Sequence, residues 1–211
     1  MAIRDTDVEI RGSSLAGLRI VLGISGGIAA VDTVRLAREL RRHGADLTVI
    51  MTQSAQNIIT PLAVRWASQC EVITDWDGDL SALDEFDGIL VAPATRNLMA
   101  GFVHGLNNGP LLMALSAARG RGTATMLIPS MHSDLAGDPI TDDIVSEVRK
   151  HGADVVWGPN VEGKQKTPPH DEIVATFAHF VNRIKPKRKS IVVTIGATRS
   201  AIDDLSLIHI R

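Results

Sequence analysis

Four short runs of small polar residues follow apolar stretches in this chain, and each has the chemistry to meet an anion. Ser25-Gly26-Gly27-Ile28 comes after the apolar run 18–24 and opens a helical pattern. A strand, a glycine turn and a helix together present bare backbone N–H groups to a phosphate. The spacing is neither GxGxxG nor GxxxxGK[ST], so it is neither the dinucleotide fingerprint nor a P-loop. Thr52-Gln53-Ser54, Thr95-Arg96-Asn97 and Ser130-Met131-His132 each follow a later apolar run. Ligands of open α/β sheets sit beyond the carboxyl ends of the strands, so the four runs are expected to share one edge. A dinucleotide site places Asp or Glu at the end of its second strand, on a ribose hydroxyl. Thr52 stands there instead. A hydroxyl donates to a phosphate that a carboxylate would repel. This points to a mononucleotide phosphate and away from NAD.

The elements that must position these runs alternate along the chain. Strands are expected at 18–24, 47–52, 71–74, 87–95, 123–130 and 153–157. Helices are expected at 28–42, 96–105, 110–118, 141–151 and 170–183, the first with Ala30, Val34, Ala37 and Leu40 on one face. Residues 55–68 read as helical pieces broken at Pro61, and 79–86 as a polar, weakly helical stretch. Strands that are apolar almost throughout, alternating with helices, indicate a parallel sheet covered on both faces. The fold class is α/β, a doubly wound parallel sheet in three layers, Rossmann-like or flavodoxin-like. The domain is expected over 17–183, after a flexible leader at 1–16.

Composition narrows the function classes. Apolar residues make up 45% and charged residues 22%, ordinary for a globular chain with a full core. Aromatics are only 3%, with no Tyr, which argues against a surface that stacks bases. A net charge of −2 gives no general attraction to nucleic acid or acidic membranes. The single cysteine, Cys70, allows no intrachain disulfide and suits a reducing compartment. No run is long enough to span a bilayer, and a cytoplasmic protein without metal, nucleic-acid or membrane partners is expected.

The runs GISGGIAA, MTQSA, DGILVAPATRN and PSMH, in this order and spacing, resemble the flavin-containing cysteine decarboxylases over about 17–183. The resemblance implies FMN and a small-molecule substrate. The activity it implies is decarboxylation of 4′-phosphopantothenoylcysteine to 4′-phosphopantetheine in coenzyme A biosynthesis. It places Ser25, Gly26, Gly27, Ile28, Thr52 and Ser54 around the phosphate and ribityl chain. Thr95 and Asn97 meet the phosphate or ring edge, and Ser130 lies near the flavin. Met131 and His132 fall at the substrate, His132 where many relatives carry an Asn that donates to a carboxylate. Arg96 replaces a small residue and reads either as a phosphate partner or as a solvated arginine at a helix start. His104 reads as structural. The family also implies a homo-oligomer built from trimers, with flavin at a subunit interface.

Two departures bear on catalysis. The family's base is a histidine, and gapless counting back from Pro93-Ala94-Thr95 puts Asp79 at its position. Asp79 reads either as a weaker base or as a helix N-cap. Bacterial and plant members place a cysteine in a late loop, whereas 160–170 holds none and VEGKQK (161–166) is similar to the archaeal branch. A non-catalytic FMN-binding paralogue with an assembly or regulatory role is therefore the alternative. KPKRK (185–189) reads as part of a basic linker over 184–190. VVTIGATRSAIDDL resembles the opening of a fused ligase domain, so 191–211 is expected to be its truncated start. LSLIHI resembles a translated sequencing adapter, and 205–211 is read as an artefact.

Overall fold

The computed structural model describes residues 4–76 and 85–184. The weakly helical stretch expected at 79–86 lies mostly outside these residues, as do Asp79, most of the basic linker and the ligase-like segment. Six parallel strands form one sheet: β1 (Arg19–Ile24), β2 (Asp46–Met51), β3 (Val72–Ile73), β4 (Gly88–Ala94), β5 (Ala124–Pro129) and β7 (Ala153–Val155). Their spatial order is β3-β2-β1-β4-β5-β7. The direction of winding reverses between β1 and β4, and the two loops there open side by side.

Strand alternation divides the core into two layers. Ile20, Leu22 and Ile24 of β1, with Leu90, Ala92, Met126 and Ile128, pack on α1 (Thr33–Arg42), α3 (Pro61–Ser68) and α8 (His170–Ile184). Val21, Ile50, Ile89, Val91 and Leu127 pack on the opposite side. There they meet α4 (Arg96–Val103), α5 (Pro110–Arg121) and α7 (Pro139–Lys150). The expected three-layer α/β fold is the one observed.

Several boundaries differ from expectation for physical reasons. Residues Ile28–Asp32 form a 3₁₀ turn before α1 rather than its first α-helical turn. Side chains three apart eclipse on a 3₁₀ turn. Ile28 and Val31 accordingly both stand exposed, at 75% and 52%. Pro61 begins α3 rather than breaking a helix, because a missing N–H costs nothing at the first helical position. Thr60 caps that start by accepting from the N–H of Ala63 at 3.3 Å. One element is absent from the sequence reading: a small antiparallel sheet in the order β6-β9-β8. It joins β6 (Met131–His132), β8 (Asn160–Val161) and β9 (Lys164–Gln165). The turn between β8 and β9 has positive φ at Glu162 (54°) and Gly163 (69°), the sense that a two-residue hairpin needs. The short helices α2 (Gln53–Gln56) and α6 (Ser133–Ala136) complete the elements.

Residues 4–16, expected as a leader, run beside α1. Arg38 Nη2 donates to Asp7 O at 2.8 Å, Arg41 Nη1 to Thr6 O at 2.9 Å, and Leu15 is fully buried.

Phe177 of α8 is fully buried, and a Cβ added at Gly88 would lie 3.0 Å from its ring. Phe177→Ala should lower unfolding free energy by about 3–5 kcal/mol in urea denaturation. A loss under 1 kcal/mol would contradict this packing of α8 on the sheet.

Candidate functional site

Ser25, at the end of β1, is 1% exposed and has both hydrogen-bonding roles in use. Its Oγ donates to Pro93 O at 2.8 Å and accepts from the N–H of Thr95 at 2.8 Å. Its own N–H reaches Pro93 O at 3.2 Å. The residue thus ties the β1 loop to the β4 loop. Gly26 lies against the β2 loop, where a Cβ would come within 2.4 Å of Ser54 Oγ. Only glycine permits that approach. Ser54 Oγ in turn shares a hydrogen bond with Thr52 Oγ1 at 3.1 Å.

Two clefts open at this edge and share Thr95 and Asn97 as a common wall. The smaller, about 420 Å³, is lined by Ser25, Thr52, Ser54, Gln53 and Trp76, with one carboxylate, Asp75. The larger, about 1350 Å³, exceeds the usual ~300–1,000 Å³ of a small-molecule site and has room for more than one ligand. Gly27, Ile28, Arg96, Ser130, Met131 and His132 line it. Of the residues singled out from sequence, all but two therefore face one or both clefts. Gly26 supports Ser54 from behind, and Asp79 lies outside the described residues.

Several residues do local work as well. Thr52 Oγ1 accepts from the N–H of Ala55 and Thr95 Oγ1 from that of Leu98, each at 3.3 Å, so both hydroxyls cap helices. Arg96 stands at the first position of α4, where the helix dipole disfavours a cation. Asp138 compensates, with Oδ2 2.6 Å from Arg96 Nη1. Its partner here is the carboxylate that caps α7, a contact named by neither reading of Arg96. His132 Nδ1 lies 3.2 Å from Asp134 Oδ2 and 3.3 Å from the N–H of Asp134. His104, read as structural, is exposed on the wall of the larger cleft.

Sequence reasoning missed Asp32, Lys164, Gln165 and Lys166 on the larger cleft. The last three arrive on the hairpin, whose sequence signal is Glu162-Gly163 between two short pairs, Asn160-Val161 and Lys164-Gln165. Cys70 lines neither cleft. Burial pushes its thiol up from the ordinary range, although the Ser68 hydroxyl 3.2 Å away opposes this. Among the described residues no cluster of His, Cys, Asp or Glu could hold a metal, and no helix is long and apolar enough to cross a membrane.

Hydroxyls, an amide and the N-terminus of α4, with no acid at the end of β2, make a donor set that fits a phosphate ester. The family model described as Flavoprotein matches residues 9–182. The chain belongs to this family. The flavoprotein chain is 34% identical over 208 residues to the coenzyme A biosynthesis bifunctional protein CoaBC of Thermococcus kodakarensis. That match covers 94% of this chain and 51% of the relative, so the chain spans about half the length of such relatives. Two solved structures share the fold. The FMN-dependent cysteine decarboxylase SpaF superposes with a TM-score of 0.70 at 21% identity, covering 79% of this chain and 98% of its own. A cysteine-to-serine mutant of a PPC decarboxylase, complexed with pantothenoylaminoethenethiol, does so with 0.67 at 16%, covering 77% and 97%.

The N–H of Ile140 and then the Arg96 guanidinium hold the Asp138 carboxyl below its usual range. A depressed folded value stabilises above the unfolded pKa of about 3.9, and the benefit is lost as pH falls through the folded value. Asp138→Asn keeps the cap and removes the charge. Its stability deficit, measured by urea unfolding, should be present at pH 7 and close as pH drops below about 4. A deficit of equal size at pH 3 would refute the assignment.

Proposed function

We propose that this chain carries out FMN-dependent decarboxylation of 4′-phosphopantothenoylcysteine to 4′-phosphopantetheine. The observation that carries this reading is the shared wall at Thr95 and Asn97, with hydroxyls gathered on one side and apolar surface on the other. Thr52, Ser54 and Asn97 suit the phosphate and ribityl chain. Ile28 and Met131 suit a flat ring. The names of the relatives, a coenzyme A biosynthesis protein and a PPC decarboxylase, point to the same reaction.

FMN, when bound, supplies the electron sink that a cysteine carboxylate lacks. The chain supplies orientation and proton handling. In this reading Asp79 accepts the thiol proton, and a ring N–H of His132 holds the substrate carboxylate. Gly26, Gly27, Ile28 and Ser130 shape the cofactor seat, while Met131 and Arg96 bound the substrate space. The larger cleft exposes Ile28, Val31, Leu135 and Ile140, at 75%, 52%, 47% and 54%. A surface of this kind suits cover by another copy, in line with a trimer-based homo-oligomer. The fused ligase domain and the cytoplasmic setting belong to the same proposal. Asp79 at the family's histidine position favours a second reading, a non-catalytic FMN-binding paralogue.

Two experiments test the site. Thr52→Glu should weaken flavin binding at least tenfold, about 1.4 kcal/mol, by placing a carboxylate beside the phosphate. Flavin stoichiometry and visible absorbance read this directly, and unchanged values would remove Thr52 from the site. CO₂ release from phosphopantothenoylcysteine by the FMN-loaded protein tests the reaction. Asp79→Asn should abolish release and leave flavin bound, and Asp79→His should raise it. A wild type that binds flavin and releases no CO₂ supports the paralogue.

A further inference from the structure

The hairpin places a lysine where strand architecture alone has no use for one. β9 is the middle strand of the small sheet, so Lys164 guards no open edge, the common task of a strand lysine. Its register partner is His132 on β6. Residues directly opposite in an antiparallel pair share a face, with Cβ atoms about 4.5–5.5 Å apart. Both residues line the larger cleft. The other lysine and arginine of that wall are neutralised, Arg96 by Asp138 at 2.6 Å and Lys166 by Glu162 at 3.3 Å. Lys164 has no carboxylate partner among the described residues.

His132 completes the arrangement through its contacts with Asp134. If Nδ1 accepts from the Asp134 N–H, the neutral ring carries its proton on Nε2. If the ring is charged, Nδ1 donates to Asp134 Oδ2 and Nε2 still carries a proton. In these two states Nε2 is a donor, whereas a neutral ring protonated on Nδ1 donates to Asp134 Oδ2 and leaves Nε2 an acceptor. The strand that presents Lys164 is held from two sides. Gln165 Nε2 donates to Gly158 O, and Ser133 Oγ donates to Gly163 O.

We propose that Lys164 and His132 form a two-point receptor for an oxyanion of the substrate, Lys164 giving charge and His132 giving direction. The substrate's identity here rests on the decarboxylase reading above. That molecule carries a carboxylate at its cysteine end and a phosphate at the other. The shared chemistry is a cluster of anionic oxygens, which a lysine and an imidazole N–H recognise together.

The test uses the FMN-loaded full chain and two probes, phosphopantothenoylcysteine and pantothenoylcysteine, in titration calorimetry. Lys164→Gln should weaken binding about tenfold or more, and Lys164→Arg should restore most of it. In turnover the same variant should raise KM with kcat little changed. Loss confined to the phosphorylated probe assigns the receptor to the phosphate. Equal loss on both assigns it to the carboxylate. Equal affinity of wild type and Lys164→Gln for both probes overturns the receptor and leaves the decarboxylase reading intact. A wild type that binds neither probe fails that reading instead, and the receptor is then judged on inorganic phosphate. Protection of the Lys164 amine from acetic anhydride by phosphate, read by mass spectrometry, supports it, and no protection overturns it.

Discussion

The site depends on one buried hydroxyl. Ser25 Oγ spends its donor on Pro93 O and an acceptor position on Thr95 N–H, across a separation in sequence of about 70 residues. Leaving such groups unpaired in the interior costs roughly 1–3 kcal/mol, so the two loops have one favourable spacing. That spacing makes Thr95 and Asn97 a wall between two clefts rather than part of one open groove. Gly26 adds the second constraint by letting Ser54 close in from the β2 loop. The β1 and β4 loops are thereby tied by hydrogen bonds and the β2 loop packs against them at Gly26, while the apolar layers beneath keep the strands in place.

Charge around the clefts is distributed with the same economy. The helix dipole of α4 already offers a positive end, and Arg96 beside it is answered by Asp138. Lys166 is answered by Glu162. The smaller cleft presents hydroxyl and amide dipoles beside one carboxylate, Asp75. The larger cleft combines apolar side chains with a short polar rim on the hairpin.

Most of this frame is legible in the sequence, and the exceptions have identifiable causes. Ile20, Leu22 and Ile24 alternate with Val21 and Gly23 along β1, and such runs between helical patterns allow few architectures. The polar triplets after β1, β2, β4 and β5 could be placed on one edge by topology alone. The hairpin could not. Its strands are two residues long, and Glu-Gly is a weaker turn signal than Asn-Gly or Asp-Gly. The 3₁₀ turn was hidden because Ile28–Asp32 fits a helical period equally well, and only hydrogen bonding separates the two. Arg96 was ambiguous because its partner Asp138 lies 42 residues away, beyond any local pattern.

The order of strands carries a consequence for how the molecule comes together. β1 pairs on one side with β2, close in sequence, and on the other with β4, much farther along the chain. Closing the longer loop costs roughly 4 kcal/mol in chain entropy, set by its length, before any contact repays it. The Ser25 tie and both clefts lie where β1 and β4 meet. Proteins dominated by such distant pairings fold slowly. A ligand that touches both loops binds only the folded form, and at a hundred times its dissociation constant it adds about 2.7 kcal/mol to the stability of that form. Such a ligand therefore raises the resistance of the folded chain to proteolysis.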